Sequence, residues 1–404
     1  MAVLLNELFF PPTDVHTAAI ISAFAFCSTY ILRPFGALIF GWIGDNIGRK
    51  PTVVMTTMLM SISCVIMANL PTYAQMGITA TYLITACRMI QALSSMGEVM
   101  GAKVYITEIT HPPLQYACVS LVVLAASLGT MFALGIASLV TQFGFNWRIA
   151  FWMGAGISVI GSLARTKLRE TPEFIDMKKK IQAQITERNI PLQEKINIAS
   201  KIKNYMYKQK VNKKDFLAYS FIECGWPFAF YLSYMYFSPI LKSFGYSTAD
   251  VISQNFVLSV LTILSDSLLI YLSLKFHPLK ILKVKGTLFL GFGLILPILL
   301  QFITNPYQVF CIQAILLMTP LAPIPGDSIF ISQLPVYNRF TTATMIYALS
   351  RSIIYIVTAF GLVFLTHWFG AYGIWFILLP ISGGFLWGVY HFEKLQKELK
   401  VHHQ

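Results

Sequence analysis

The sequence predicts an all-α protein that crosses a membrane about eleven times. Of the 404 residues, 56% are hydrophobic and only 12% are charged, whereas soluble domains carry roughly 25% charged residues. The apolar residues fall into runs near the ~20 residues that a helix needs to cross a bilayer. Backbone polar groups in lipid must bond within the segment, which favours helices. The predicted spans are 17–43, 51–70, 78–107, 114–141, 149–165, 216–240, 251–274, 286–303, 307–333, 341–365 and 371–391.

One long connection divides these spans into five and six. It carries 13 Lys and Arg against five acids, and this excess of positive charge accounts for most of the chain's net charge of +13. The other connections are short and contain turn residues. We therefore predict an N-terminal bundle over 1–165, a basic linker over 166–214, a six-helix bundle over 215–392 and a tail over 393–404.

The distribution of basic residues predicts the orientation of the chain. If the linker is cytoplasmic, 23 of the 30 Lys and Arg lie on the cytoplasmic side and two, Arg148 and Lys242, lie outside. Five more lie within spans. Cytoplasmic loops of membrane proteins are enriched in Lys and Arg, so the C-terminus is expected in the cytoplasm and the N-terminus outside.

Other functional classes find little support in the sequence. The basic linker lacks the interleaved aromatic residues of a nucleic-acid surface, so no nucleic-acid partner is expected. The six cysteines lie in apolar runs without C-x-x-C spacing and are interpreted as small packing residues rather than metal ligands or disulfides. No phosphate loop, nucleophile elbow or H-E-x-x-H motif occurs. We therefore predict no enzymatic activity, no metal and no bound cofactor.

The segment Gly41-Trp42-Ile43-Gly44-Asp45-Asn46-Ile47-Gly48-Arg49-Lys50 follows the first predicted span. Its glycines permit a tight turn and close helix approach. The carboxylate of Asp45 can cap a helix N-terminus or pair with Arg49, and the basic pair faces anionic headgroups. We predict a gating loop formed by Gly41, Asp45, Gly48 and Arg49.

This loop resembles the G-x-x-x-D-[RK]-x-G-R-[RK] loop of the major facilitator superfamily, with Asn46 where a basic residue is usual. Further segments resemble the metabolite:proton symporters of that superfamily, and most of all the proline/betaine transporters. They are Arg33-Pro34-x-Gly36, Arg88-Met89-Ile90-Gln91-Ala92, Gly97-Glu98, Glu108, Trp147-Arg148-Ile149 and Arg169-Glu170-Thr171-Pro172-Glu173-Phe174. The resemblance is dense over 9–174 and sparse beyond. It implies two helical bundles, alternating access, a bacterial inner-membrane location and proton coupling.

Two departures from the family pattern leave an alternative open. The family has twelve helices, and residues 1–10 resemble only the outer tail of the first, so that helix is expected to be missing. The equivalent loop of the second half reads Leu272-Ser273-Leu274-Lys275-Phe276-His277-Pro278-Leu279-Lys280, without the expected Asp and Gly. The alternative is a membrane-embedded remnant that does not transport.

Polar residues recur on single faces of three predicted helices. Ionisable groups within a membrane need partners or a water-filled cavity, so each stripe lines either a cavity or an interhelical hydrogen-bond seam. The stripes are Thr81, Arg88, Gln91, Ser95 and Glu98; Glu223, Trp226, Phe230, Tyr234 and Phe237; and Asn255, Ser259, Thr262, Asp266 and Ser273. The aromatic members suit either core packing or a quaternary ammonium group.

The predicted span 307–333 contains Pro320, Pro323, Pro325 and Gly326 just before Asp327. Such breakers either kink a helix or create the broken helix that often lines a transporter site. Arg351 in the next span is a candidate partner for Asp327, Asp266 or Glu223, because an unpaired buried charge is costly.

The resemblance and the stripes together predict proton-coupled uptake of a proline- or betaine-like osmolyte or an organic acid. Glu98 is the first candidate for the proton site, followed by Glu223 and Asp266. Arg88 would hold a substrate carboxylate that Gln91 orients, while Asp45 and Arg49 would lock the outward-open state. The expected partners are a small-molecule substrate and the lipid bilayer, and the chain is expected to be a monomer.

Overall fold

The computed structural model describes residues 8–9, 29–186 and 211–402. Within these ranges the chain is helical apart from turns and contains no strand. The first half comprises α1 (Arg33–Asn46), α2 (Arg49–Asn69), α3 (Tyr73–Met76), α4 (Ile78–Ile109), α5 (Leu114–Phe143) and α6 (Arg148–Thr166), and the linker begins with α7 (Pro172–Thr186). The second half comprises α8 (Lys213–Phe230), α9 (Phe237–Ser243), α10 (Thr248–Lys275), α11 (Pro278–Gln301), α12 (Pro306–Met318), α13 (Asp327–Ser332), α14 (Arg339–Phe369) and α15 (Trp375–His402).

Six helical segments of the described chain are long and apolar enough to cross a membrane. The last of them extends through α14 and α15. Helix α4 has the length of a span, but polar residues along it, including Arg88 and Glu98, lower its hydropathy. The all-α membrane fold that the composition predicts is therefore confirmed by the helices themselves.

Helix boundaries differ from the predicted spans at two informative places. The predicted span 307–333 is two helices, α12 and α13, separated by the non-helical segment 319–326. Helix α11 begins at Pro278 rather than near 286. The prediction that Lys285 lies in a cytoplasmic loop is therefore wrong: it lies in the second turn of α11 and is 5% exposed. The lysines at the start of α11 lower the local hydropathy, so the start of the helix is not predicted as part of a span.

A π-helical turn, Tyr231–Tyr236, continues α8 into α9. It follows Pro227, which lies inside α8 and cannot donate a backbone hydrogen bond. The Ser233 carbonyl in this turn accepts a hydrogen bond from the Gln313 side chain of α12 at 2.6 Å. Such π-turns are frequent at functional sites.

The two halves meet chiefly along two helix pairs, α1 with α14 and α5 with α10, and α4 also contacts α13 and α14. Gly41 allows the first approach, because a Cβ there would lie 2.8 Å from the Thr341 Cα. The largest core cluster joins Ala37, Met96 and Met100 of the first half to buried residues of the second. These contacts place the end of α1 against the start of α14. The start of the first predicted span and linker residues 187–210 lie outside the described residues.

Candidate functional site

A buried cluster of charges lies where the α1–α2 turn meets the second half. The Arg49 side chain has no exposure and donates to Glu108 of α4 at 3.1 and 3.2 Å. It also pairs with Asp45 at 3.1 Å and donates to the carbonyls of Gly44 and Val336, each at 2.7 Å. One guanidinium thus joins α1, α4 and the segment before α14, with its charge neutralised on two sides.

Asp45 connects this cluster to the N-terminus of α14. Its two carboxylate oxygens accept from the backbone N–H of Phe340 at 3.1 Å and of Thr341 at 2.8 Å. A helix N-terminus has unsatisfied N–H groups and a partial positive charge, so a carboxylate there is stabilising. Gly44 makes room for the contact, because a Cβ there would lie 2.6 Å from the Phe340 ring.

The first residues of the linker close over the same cluster. The Glu170 carboxylate accepts from the backbone N–H of Arg49 at 3.0 Å, and a Cβ at Gly48 would clash with that carboxylate. The Thr171 hydroxyl donates to Glu108 at 2.6 Å. Glu173 at the start of α7 pairs with Arg339 of α14. The four residues of the predicted gating loop therefore lie at contacts among α1, α2, α14 and the linker.

A cavity of about 140 Å³ lies between the two halves. Both halves contribute polar side chains to it, and the second half also contributes aromatic ones. Its lining residues include Lys103, Ser127 and Thr130 from the first half and Trp226, Asp266, Asp327, Tyr347 and Arg351 from the second. Substrate sites of transporters commonly lie at such an interface, near broken helices.

An ion pair in the cavity joins the two halves. The Lys103 ammonium of α4 lies 2.6 Å from the Asp327 carboxylate at the start of α13, and the two side chains are 4% and 1% exposed. The second carboxylate oxygen of Asp327 has no hydrogen-bond partner among the described residues. The sequence predicted Asp327 as a cavity residue but gave Lys103 no role. Its position in an apolar run, five residues after Glu98, was the available signal.

Glu223 of α8 lies next to this pair and is completely buried. Lys103, Asp327 and Arg351 are close enough to interact with it electrostatically. No partner lies within strict hydrogen-bond geometry of its carboxylate oxygens in the described parts of the chain, and the Tyr219 hydroxyl is the neighbouring polar group of its own helix. Glu223 therefore places a buried carboxyl group beside the ion pair.

Asp266 and Arg351 occupy other walls of the cavity. Asp266 of α10 accepts a hydrogen bond from the Ser127 hydroxyl of α5 at 2.6 Å, which is a second contact between the halves. The Arg351 guanidinium stacks over the Tyr347 ring, 4.1 Å from its centroid. Of its three predicted partners, Asp327 is paired with Lys103 and Asp266 accepts from Ser127, whereas Glu223 is close enough to Arg351 to interact with it electrostatically.

The aromatic stripe of α8 is divided between the cavity and the core. Trp226 lines the cavity. Phe230 and Tyr234 instead pack together, with ring centroids 5.1 Å apart, against Leu258 and Leu317. Of these three aromatic residues, Trp226 is therefore the one placed to contact a ligand in this cavity.

The polar stripe of α4 points mainly toward other helices of the first half. Glu98 pairs with Arg165 of α6 at 2.9 Å. Gln91 donates to the sulfur of Met67 on α2 at 3.3 Å, and Ser95 donates to the carbonyl of Ala92. Arg88 is half-buried and is absent from the cavity lining. The cavity face of α4 is instead formed by Val99 and Lys103.

These contacts correct the prediction that the polar stripe of α4 lines the cavity. A helical wheel identifies a polar face but cannot say whether a cavity or a neighbouring helix covers it. Here the interhelical seam, which the sequence left open as an alternative, accounts for the contacts of Gln91 and Glu98.

Comparisons with known proteins identify membrane transporters as the relatives of this chain. The sequence model of the "Sugar (and other) transporter" family matches residues 3–321. The proline/betaine transporter of Salmonella typhimurium is 30% identical over 181 residues, which cover 43% of this chain and 36% of that protein. The inner membrane metabolite transport protein YhjE of Escherichia coli is 35% identical over 179 residues, which cover 43% of this chain and 41% of that protein.

Solved structures show the same fold. The proton:xylose symporter XylE bound to 6-bromo-6-deoxy-D-glucose superposes with a TM-score of 0.76 at 15% identity, over 97% of this chain and 90% of that chain. FucP in the outward conformation superposes with a TM-score of 0.64 at 12% identity, over 97% and 95% of the two chains. The chain's match to its curated relatives, in contrast, spans about two fifths of their length.

Proposed function

We propose that this chain, which belongs to the sugar (and other) transporter family of the major facilitator superfamily, couples proton entry to the uptake of a small zwitterionic metabolite. It is a multi-pass inner-membrane transporter that resembles the proline/betaine transporters, and it is not an enzyme. The family and location that the loop motifs predicted are confirmed. Proton coupling and the substrate are the parts that we propose.

The Lys103–Asp327 pair carries this proposal. It lies in the cavity at the junction of the two halves, where each half supplies one charge. The lining also contains Arg351 and Asp266, so cationic and anionic side chains are balanced. A zwitterion suits such a cavity: its carboxylate can approach Lys103 or Arg351, while its cationic group can approach Asp327 and the face of Trp226.

The size of the cavity supports a small substrate. Pockets for drug-sized ligands enclose about 300–1,000 Å³, and this one encloses about 140 Å³. An organic acid with two carboxylates would leave Asp266 and Asp327 facing like charges. We therefore favour a proline- or betaine-like osmolyte over an organic acid.

Glu223 is the proton site that the geometry supports best. Its carboxylate is buried and lies near both members of the ion pair and near the Tyr219 hydroxyl. Loss of its proton would place a second negative charge beside Lys103 and weaken the hold of Lys103 on Asp327. Proton movement and rearrangement between the halves are thereby linked through one lysine. Glu98, the first candidate from the sequence, already has Arg165 as its partner.

The charge cluster at Arg49 supports the gating part of the cycle. It joins the α1–α2 turn to α14, so this side of the molecule is closed in the structure. With the predicted orientation, the closed side is the cytoplasmic one. A conformation is favoured only by contacts that the other conformation lacks, and the bonds of Asp45 to α14 are such contacts. Opening toward the cytoplasm would have to break them.

The experiment is uptake of radiolabelled proline and glycine betaine into proteoliposomes that contain the full chain, with and without an imposed pH gradient. We expect accumulation only with the gradient. Glu223→Gln should abolish accumulation but retain exchange of labelled for unlabelled substrate, because the amide keeps its shape and cannot titrate. Asp327→Asn should weaken both processes.

Glu98→Gln serves as the matched comparison, since it removes a carboxylate outside the cavity. Full accumulation in Glu223→Gln together with its loss in Glu98→Gln would return the proton site to Glu98. Failure of the unmodified chain to exchange or accumulate proline, glycine betaine or 2-oxoglutarate would favour the alternative, a folded remnant. The absence of the Asp and Gly from 272–280 is one of the two departures from the family pattern that motivate this alternative.

A further inference from the structure

The segment between α12 and α13 leaves buried carbonyl groups without their usual donors. In a continuous helix, the carbonyls of Ala322 and Ile324 would accept from N–H groups four residues later. Here the N–H of Gly326 bonds to the Pro323 carbonyl at 2.6 Å, and α13 begins only at Asp327. Ala322 and Ile324 are 5% and 1% exposed, so water is a poor substitute donor.

The Lys285 side chain supplies the missing donors. Its ammonium donates to the Ile324 carbonyl at 3.0 Å and to the Ala322 carbonyl at 3.4 Å. Lys285 is itself 5% exposed, and its hydrogen bonds go to backbone carbonyls rather than to a carboxylate. Asp266 and Asp327 are close enough to interact with the ammonium electrostatically. Burial of this cation is therefore compensated by two dipoles and two nearby acids.

Neighbouring contacts make the segment a fitted backbone rather than a loose loop. On α11, Leu282 lies one turn before Lys285, and a Cβ at Gly326 would lie 2.7 Å from its side chain. On α10, the Ser265 hydroxyl donates to the carbonyl of Met318 at 3.0 Å. Side chains from two helices thus satisfy the carbonyls that the break exposes.

We propose that Lys285 is a positioning residue that holds the broken segment 319–326 in place and thereby fixes Asp327 at the cavity. The inference rests on the proposed function only for its effect on transport. The connection is short: Ile324, which Lys285 holds, precedes Asp327 by three residues, and both line the cavity. Lys285 does not line the cavity, so it acts through the backbone and through its charge.

The first test measures the segment without any substrate. In a background in which the six cysteines are replaced, Ala322→Cys places a thiol in the cavity wall. Its labelling rate with a water-soluble maleimide reports how often the segment opens. Loss of a charge-assisted hydrogen bond shifts such an equilibrium by about tenfold or more. We expect Lys285→Met to raise the rate about tenfold and Lys285→Arg to remain near the unmodified rate.

Lys283→Met is the matched control, because it removes a lysine from the same helix that pairs with Glu393 on α15 instead. It should leave labelling unchanged. If Lys285→Met fails to insert, Lys285→Gln retains neutral donors and should label at an intermediate rate. If Lys285→Arg labels at the same rate as Lys285→Met, or as Lys285→Gln where the Met variant fails to insert, the positioning role is overturned, whatever the chain transports.

The second test examines whether Lys285 acts through Asp327. Proline uptake by Lys285→Met should show a raised KM with a smaller change in kcat, and Lys285→Arg should restore the KM. Adding Asp327→Asn to Lys285→Met should cause little further loss, because residues that act through one contact are not additive. Fully additive losses would overturn the link to Asp327. Increased labelling of Ala322→Cys without any measurable uptake would support the positioning role of Lys285 while contradicting the proposed function.

Discussion

The equivalent loops of the two halves differ in their sequence and in their contacts with the rest of the molecule. In the first half, Gly41–Lys50 forms a buried charge cluster that reaches α4 and α14. In the second half, Leu272–Lys280 contains neither the Asp nor the Gly of the motif. Its lysine at the end of α10, Lys275, lies over the Tyr271 ring of its own helix, 4.7 Å from the centroid.

The second loop contacts the first half through the ring of His277. His277 and Tyr116 of α5 lie edge to face, with centroids 6.0 Å apart. Such a contact contributes about 0.5–1.5 kcal/mol, whereas breaking a buried ion pair costs about 3–5 kcal/mol. The closed side of the molecule is therefore held chiefly by one loop, and loss of the second motif removes little from that closure. The remnant alternative loses part of its support.

The largest expected effect separates the two loops directly. Arg49→Ala leaves Asp45 buried without its cation and leaves Glu108 with Arg339 as its remaining cationic partner, so the closed arrangement should lose about 3–5 kcal/mol. Ala37→Cys, buried between α1 and α14, reports opening in a cysteine-free background. We expect its labelling from the cytoplasmic side to rise by more than a hundredfold.

Lys275→Ala is the counterpart of Arg49→Ala in the second loop. It removes an exposed cation with a ring contact, and surface changes of this kind stay within about 0.5 kcal/mol. Labelling of Ala37→Cys should change by less than about threefold. Comparable opening in the two variants would contradict closure by one loop.

A smaller effect is expected from Asp45→Asn. The amide keeps an oxygen for one of the two N–H groups at the start of α14 but loses its charge toward Arg49. The loss should be about 2 kcal/mol, or roughly thirtyfold in the opening equilibrium. Transport should fall while the chain still inserts. Labelling at the unmodified rate would show that helix capping, rather than charge, provides this contact.

The same contrast explains what the sequence could predict. The Gly41–Arg49 loop was predictable, because its motif combines turn residues with charges whose partners lie four residues apart. Glu223 and Asp327 were predictable as buried acids in apolar runs. The pairing of Lys103 with Asp327 was not, since these residues are 224 positions apart and belong to different halves.

The α4 stripe and Lys285 show two further limits. Periodicity places Gln91 and Glu98 on one face, but α2 and α6 cover that face, and only tertiary packing decides this. The sequence predicts a loop at Lys285, because three other lysines precede it from Lys275 onward. Its burial depends on carbonyls of a distant broken segment, which hydropathy does not report. The orientation and the missing first helix stay predictions.

Glu173→Gln should have a weaker effect than either change in the loop. Glu173 of α7 pairs with Arg339 of α14, but its side chain is 39% exposed, and such pairs contribute about 0.2–1 kcal/mol. Labelling of Ala37→Cys should rise by less than about fivefold. A rise as large as that of Arg49→Ala would instead make the linker, and not the loop, the main closure.

The smallest effect is expected from an ion pair within one half. Lys283 of α11 pairs with Glu393 of α15, two residues beyond the last predicted span, and this hydrogen bond holds the pKa of the Glu393 carboxyl below its ordinary value. Both helices belong to the second half, so the pair persists when the halves move. Lys283→Met should therefore leave the labelling of Ala37→Cys unchanged.

The pair should still contribute slightly to stability, in a pH-dependent way. A carboxyl with a depressed pKa stabilises the folded state above its ordinary pKa of about 4.3, and this contribution is lost as pH falls through the lower folded value. With both side chains partly exposed, Lys283→Met should cost less than about 1 kcal/mol at pH 7. Thermal unfolding in detergent should show this difference shrinking steadily below about pH 4. A difference that grows on acidification would contradict the lowered pKa of Glu393. Altered labelling at Ala37→Cys would instead mean that this pair also responds to the movement between the halves.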